Sequence, residues 1–160
     1  MARIELEMLV QAPPAACYAL ALNVQAHLDS TQQTGERVLA GPPSGQLQLG
    51  DVVTWEGRHF GVRQQLTVKI TAASPPHYFR DELVRGAFKT LRHDHYFEAT
   101  EGGTRVRDVF EFSSPFGLVG RWVDTFFLTQ YLTRLLRTRN AILKQRLESE
   151  VRSEFTPSVK

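Results

Sequence analysis

From residue 3 to residue 114 the chain alternates apolar and polar positions, and after that it switches to a helical period. Residues 3–11 set Ile4, Leu6, Met8 and Val10 against Arg3, Glu5, Glu7 and Leu9, the two-residue period of a half-buried strand. Pro13 and Pro14 stop it, and proline suits the first turn of a helix. The apolar stretch AACYALALNVQAHL then predicts a short helix or a broken pair, with Asn23 and Asp29 as breaks or caps. Strand follows strand thereafter: GERVLAG, ending at the surface turn GPPSG, then GDVVTWEGRHF, VRQQLTVKITAASPP, HYFRDELVRG, AFKTLRHDHYFEA and RVRDVFEFSS. Glycine in EGGT provides the positive φ of a tight hairpin turn. Such short connections predict an antiparallel meander.

The segment PFGLVGRWVDTFFLTQYLTRLLRTRNAILKQRLESE changes period. Leu128, Tyr131, Leu132, Leu135, Leu136, Ile142 and Leu143 recur at helical spacing, and Val119, Val123, Phe126 and Phe127 extend the stripe upstream. With no proline from 116 to 156, the prediction is one helix of about 30 residues, roughly 45 Å long. An antiparallel sheet must cover its apolar face, and this helix is the element long enough to do so. The predicted fold class is therefore α+β, a curved antiparallel sheet of about seven strands around a long C-terminal helix. It forms a single domain over 1–155, with residues 156–160 as a frayed tail.

Composition narrows the function classes. The formal charge of the 160 residues is +2, and the 15 arginines and 4 lysines are scattered rather than gathered into a basic stripe. That argues against nucleic-acid binding. A lone cysteine, Cys17, excludes an intrachain disulfide and reads as a small buried hydrophobe. MARIELEMLVQAPP lacks the apolar run of a signal peptide, and no stretch approaches the roughly 20 apolar residues of a transmembrane helix. A cytoplasmic protein is expected; its oligomeric state is not legible.

The candidate chemistry lies in GAFKTLRHDHYFEA, residues 86–99. Strand alternation puts Leu91, His93, His95 and Phe97 on one face, which the two hydrophobes mark as inner, and Arg92, Asp94 and Tyr96 on the other. The same rule places Asp81 with Phe79 and Leu83, and Asp108 with Val106, Phe110 and Phe112. With strands about 4.8 Å apart, Asp81, His93, His95 and Asp108 form one inner polar group. Four readings fit it. Carboxylate–imidazole pairs satisfy each other and tie the sheet together. The group is the polar end of a ligand cavity. A histidine oriented by aspartate acts as a general base. His-x-His with carboxylates binds a metal. No nucleophile motif or cofactor fingerprint is present, so no cofactor is expected. No histidine follows His95 and the long helix is foreign to a cupin barrel, so no metal is expected either. Trp55 and Phe60 line a cavity or belong to the core. Arg134, Arg137 and Arg139 read as a solvated helix face, and His27, His59 and His77 carry no recognisable spacing.

The chain resembles the START/Bet v 1-like superfamily (SRPBCC) over nearly its whole length. The resemblance rests on the opening strand followed by QAPPAACYALALNVQAH, on GDVVTWEG, on SPPHYFRDELVRGAFKTLRHDHYFEATEGGTRVRDVFEFSSPFGLVG and on YLTRLLRTRNAILKQRL. It is especially similar to a bacterial subgroup called polyketide cyclase-like or cell-division-inhibitor-like. The matching segments are Phe79-Arg80-Asp81-Glu82, Gly86-Ala87-Phe88, His93 to Phe97, and Gly102 to Asp108. The resemblance implies a helix-grip fold with a deep cavity between sheet and helix for a hydrophobic or amphipathic small molecule, lipid- or polyketide-like. Trp55, Phe79, Phe97, Phe110 and Phe112 are the expected apolar walls, and Asp81, His93, His95 and Asp108 the expected polar end. The rival readings are a cyclase or dehydratase using the same four residues as its catalytic acid–base groups, and a regulatory protein-interaction module.

Overall fold

The computed structural model describes residues 1–115 and 124–155. Strand β1 (Ala2–Val10) opens the chain. Two short helices follow, α1 (Pro14–Ala21) and α2 (Val24–Ser30). Pro14 starts α1, where its missing N–H costs nothing. Asn23 divides the pair: its side-chain oxygen accepts from the Ala26 N–H at 2.9 Å and caps α2.

The meander comprises β2 (Arg37–Ala40), β3 (Val52–His59), β4 (Val62–Ser74), β5 (Tyr78–Arg85), β6 (Thr90–Thr100) and β7 (Gly103–Ser113). The seven strands form one antiparallel sheet in the order β1-β7-β6-β5-β4-β3-β2. Chain order is kept except that β1 crosses over to pair with β7, and α1 and α2 are the crossover. Between β3 and β4 the turn has two residues, Phe60 (φ 53°) and Gly61 (φ 78°). Both central residues of a type I′ turn need positive φ, and Phe60 adopts it without being glycine.

After a π-helical turn at Asp124–Leu128, helix α3 (Thr129–Phe155) runs for 27 residues, about 40 Å, against the concave face of the sheet. It starts later than the sequence pattern predicts. Phe126 and Phe127 do not belong to its apolar stripe: they sit in the π turn, 61% and 60% exposed. The expected continuation through Val119 and Val123, and the tail at 156–160, lie outside the described residues. No helix among the described residues is long and apolar enough to cross a membrane.

The convex face is not simply solvated. Asp94, which alternation assigns to the outer side of β6, is buried beneath Tyr78 and Arg80, which donate to it at 2.6 and 2.7 Å. Glu111 is likewise covered by Arg3 and Arg92.

The core lies between the concave face and the helices. It gathers the inward residues of every strand, such as Ile4, Val53, Val68, Phe79 and Leu91, with Leu132, Leu136 and Leu147 of α3. Phe112 is fully buried at its centre, with its ring edge-on to Phe88 and tilted against Phe110. Replacing Phe112 by alanine opens a cavity and is expected to cost about 3–5 kcal/mol in urea unfolding. A loss below about 1 kcal/mol would contradict this placement.

Candidate functional site

Strand register builds the site. Asp81 of β5 lies directly opposite His93 of β6, and Phe79 opposite His95. On the other side His95 lies opposite Asp108 of β7, and His93 opposite Phe110. Since all of these side chains point to the concave face, three strands deliver two carboxylates and two imidazoles to one patch.

The two histidines are not equivalent. His95 is 3% exposed and lies flat against Phe79 at 4.2 Å. Its Nδ1 is 2.7 Å from Asp108 Oδ1 and its Nε2 is 3.2 Å from Asp81 Oδ1. Asn140 of α3 donates to the other oxygen of Asp108. The His93 imidazole makes no hydrogen bond among the described residues. Its Nδ1 is 4.0 Å from Asp81 Oδ1, and its buried Nε2 is 3.7 Å from Asp108 Oδ1. The two rings are 3.8 Å apart, and Phe110 closes on His93 edge-on at 4.9 Å.

Electrostatics follow from this arrangement. Burial, reinforced by the charge on His95, pushes His93 down to about 3, so it is neutral near pH 7. For His95, burial works against the charge, but Asp108 and Asp81 outweigh it and its pKa rises. Burial also opposes ionisation of Asp108, yet His95 holds its carboxyl well below the usual carboxylate range. The Asp81 carboxyl is lowered in the same way, with His95 again overcoming burial. The site thus holds one imidazolium between two carboxylates and one neutral imidazole beside them.

In front of this group is a cavity of about 370 Å³ lined by the sheet, α1, α2 and α3. That is within the range of small-molecule sites, and its wall is mostly apolar. Trp55, Phe79, Asp81, His93, His95 and Phe110 line it. Three of the expected site residues do not. Phe97 and Asp108 border a separate void of about 20 Å³ behind the histidines, and Phe112 is packed inside the core. Phe97 and Asp108 share that void with Cys17 and Leu20 of α1 and Leu143 and Leu147 of α3, and Phe112 packs on Phe88 and Phe110, so the same sheet face meets protein there instead of space.

The structure adds residues that sequence reading missed. Arg139 is not on a solvated face: it is 8% exposed and borders the cavity beside the histidines. It makes no ion pair among the described residues, and its hydrogen bond there is a long one to Asn140 Oδ1, 3.4 Å. The signal was present, because positions 139 and 140 follow Leu136 at the helical spacing that marks the buried stripe. His59 was equally findable, since the alternation of Val53 and Trp55 continues to it through Gly57. It lines the cavity with its Nδ1 2.8 Å from the Tyr131 hydroxyl. His27 stacks on Trp55 at 4.0 Å and meets Glu36 at 2.7 Å. No sequence spacing links α2 to the loop that carries Glu36.

Among the described residues, Asp81, His93 and His95 are the group whose ligand atoms could converge on a cation, lying within 4.8 Å of one another. His95 already engages both carboxylates, Asp108 at 2.7 Å and Asp81 at 3.2 Å. A divalent ion would compete with those contacts unless His95 gave up its proton.

This architecture, a seven-stranded sheet gripping a long helix around a cavity, is the helix-grip fold of the START/Bet v 1-like superfamily. Within it, the chain belongs to the family described as polyketide cyclase / dehydrase and lipid transport, whose model matches residues 1–148. Solved structures with this fold include TTHA0849 from Thermus thermophilus, 14% identical with a TM-score of 0.75, covering 93% of this chain and 99% of that one. A START superfamily protein from Mycobacterium smegmatis is 11% identical with a TM-score of 0.70, covering 92% and 97%. The major latex-like protein 151 from Panax ginseng is 15% identical with a TM-score of 0.67, covering 91% and 97%. No curated protein matches the sequence.

The buried charges make stability depend on pH in opposite directions. Asp108 and Asp81 have depressed values, so their contribution is present above about pH 4 and lost as pH falls through their folded-state values. His95 is raised, so its contribution is complete below about pH 6.5 and lost as pH rises through its folded-state value. His93 is depressed and must stay neutral, so stability also declines as pH falls below about 6.5. Unfolding free energy should therefore peak near neutrality. Asp108→Asn should remove about 3 kcal/mol at pH 7 and flatten the alkaline decline, as read by urea titrations across pH. An unchanged alkaline slope would show that Asp108 does not hold the His95 proton.

Proposed function

We propose that the protein binds an amphipathic small molecule in the cavity between its sheet and α3, with Asp81, His93 and Arg139 as the polar end. The observation that carries this reading is a concave, mostly apolar space of about 370 Å³ with Asp81, His93, His95 and Arg139 converging on its inner wall. Trp55, Phe79 and Phe110 supply apolar contact area. His95 on the wall and Asp108 behind it hold each other and fix the wall, while burial and the charge on His95 keep His93 neutral. The family's description, which includes lipid transport, agrees with a lipid- or polyketide-like ligand. The reading takes the protein as cytoplasmic, in keeping with its lone buried thiol.

A second reading is favoured by one specific feature. A neutral imidazole faces the cavity with the carboxylates of Asp81 and Asp108 at 4.0 and 3.7 Å, and it becomes an effective proton acceptor where a bound substrate offsets the burial and the His95 charge that hold its pKa near 3. His93 would then abstract a proton next to a carbonyl of a polyketide-like substrate, and the substrate would lose water or cyclise. Such an enzyme requires His93→Ala to abolish turnover with binding retained, whereas a carrier has no turnover to lose.

Native mass spectrometry on gently purified protein tests the binding reading. The expected result is an organic adduct that disappears on denaturation, and that is absent from a Leu136→Trp variant whose indole fills the cavity. A bare chain mass, together with no rise in anilinonaphthalene sulfonate fluorescence on wild-type protein, would contradict it.

A further inference from the structure

The cavity has a second polar group. Glu36, in the loop before β2, accepts from Thr34 Oγ1 at 3.2 Å and meets His27 Nε2 at 2.7 Å. His59, at the end of β3, meets the hydroxyl of Tyr131, at the start of α3. All but Thr34 line the same cavity as the histidine group. Space for this cluster is made by a missing side chain: a Cβ on Gly57 would lie 2.9 Å from Glu36 Cγ and 3.1 Å from His59 Nε2.

Two independent rulers put the groups at opposite ends. Along α3, Tyr131 and Arg139 are eight residues apart, about 12 Å of helix. Across the sheet, His59 on β3 and His93 on β6 are three strand spacings apart, about 14 Å. Between them the helix is apolar, with Leu132, Leu135 and Leu136, and the sheet contributes Leu66, Val68 and Ile70 of β4 and Phe79 of β5, with Gln64 and Gln65 near the His59 end and Asp81 at the histidine end.

The ends also differ in charge. Arg139 is a guanidinium with five donors, more than nine-tenths buried, bordering the cavity without an ion pair among the described residues. A buried cation of this kind calls for an oxygen acceptor, and a carboxylate matches its planar fork best. At the Arg139 end His95 engages the carboxylates of Asp81 and Asp108, whereas the far end carries the carboxylate of Glu36 and, among the described residues, no arginine lining the cavity. The Tyr131 hydroxyl there, shared with His59, can exchange a hydrogen bond with a ligand hydroxyl.

We infer that the cavity selects a bipolar chain: an acid whose carboxylate sits on Arg139, an apolar middle, and a hydroxyl that reaches Tyr131 and His59. This rests on the small-molecule-binding reading above and narrows its ligand class to hydroxylated acids.

A matched pair of probes tests it, decanoic acid and ω-hydroxydecanoic acid, each displacing anilinonaphthalene sulfonate. Tyr131→Phe, and His59→Gln as a second variant, should weaken the hydroxy acid about fivefold and leave decanoic acid within about twofold. Methyl decanoate should bind wild-type protein at least tenfold more weakly than decanoic acid, which reads the Arg139 end without a mutation; Arg139→Met should erase that preference. Equal effects on both acids, or none, would overturn the hydroxyl end while leaving the cavity reading intact. An ester binding as tightly as the acid would overturn the carboxylate end. Failure of both acids to displace the dye from wild-type protein would overturn cavity binding itself, and this inference with it.

Discussion

The structure turns on the ion pair between His95 and Asp108. One carboxylate oxygen holds the imidazole and the other takes the amide of Asn140, so a single aspartate joins β6, β7 and α3. Asp81 grips the opposite side of the same ring and adds β5. A buried pair of this kind seldom outperforms well-packed hydrophobes in stability, but losing one partner leaves an uncompensated charge. It fixes α3 relative to the sheet from within apolar packing, among Phe97, Val106, Leu143 and Leu147. The cavity can be open in front of His93 because the contact between sheet and helix is made behind it.

That arrangement divides labour among residues that look alike in the chain. His95 and Asp108 are spent on each other. Asp81 is shared, with one oxygen on His95 and its carboxylate on the cavity wall. His93 has no hydrogen-bond partner among the described residues and is held neutral by its surroundings, so its chemistry is directed at whatever occupies the cavity. Arg139 stands in the same relation to the space. Binding and proton transfer therefore draw on the same small set of groups, and in such a site they are told apart by turnover rather than by geometry.

Much of the site was readable because the two-residue period of a strand is strict. Once Leu91 and Phe97 mark an inner face, His93 and His95 have no other place to go, and the same holds for Asp81 beside Phe79 and Asp108 beside Phe110. Arg139 and Asn140 obey the helical period equally well. Their residue type points the other way, because charged and amide side chains are usually exposed, a rule that a buried partner or a cavity overrides. Phe112, Phe97 and Asp108 show the reverse error: being on the inner face does not mean facing empty space.

By itself, then, the sequence determined the order and type of the elements, the antiparallel meander, the closing helix and the inner face of each strand. These follow from local periodicity, which a chain carries in consecutive residues. Only the tertiary structure decided which inner positions meet protein and which meet the cavity, that His27 of α2 reaches Glu36, that His59 reaches Tyr131 across 72 positions of chain, and that Arg139 is enclosed. Those facts depend on how a curved sheet and a helix approach each other. Curvature and approach are set by the sum of many packing contacts, and no single stretch of residues encodes them.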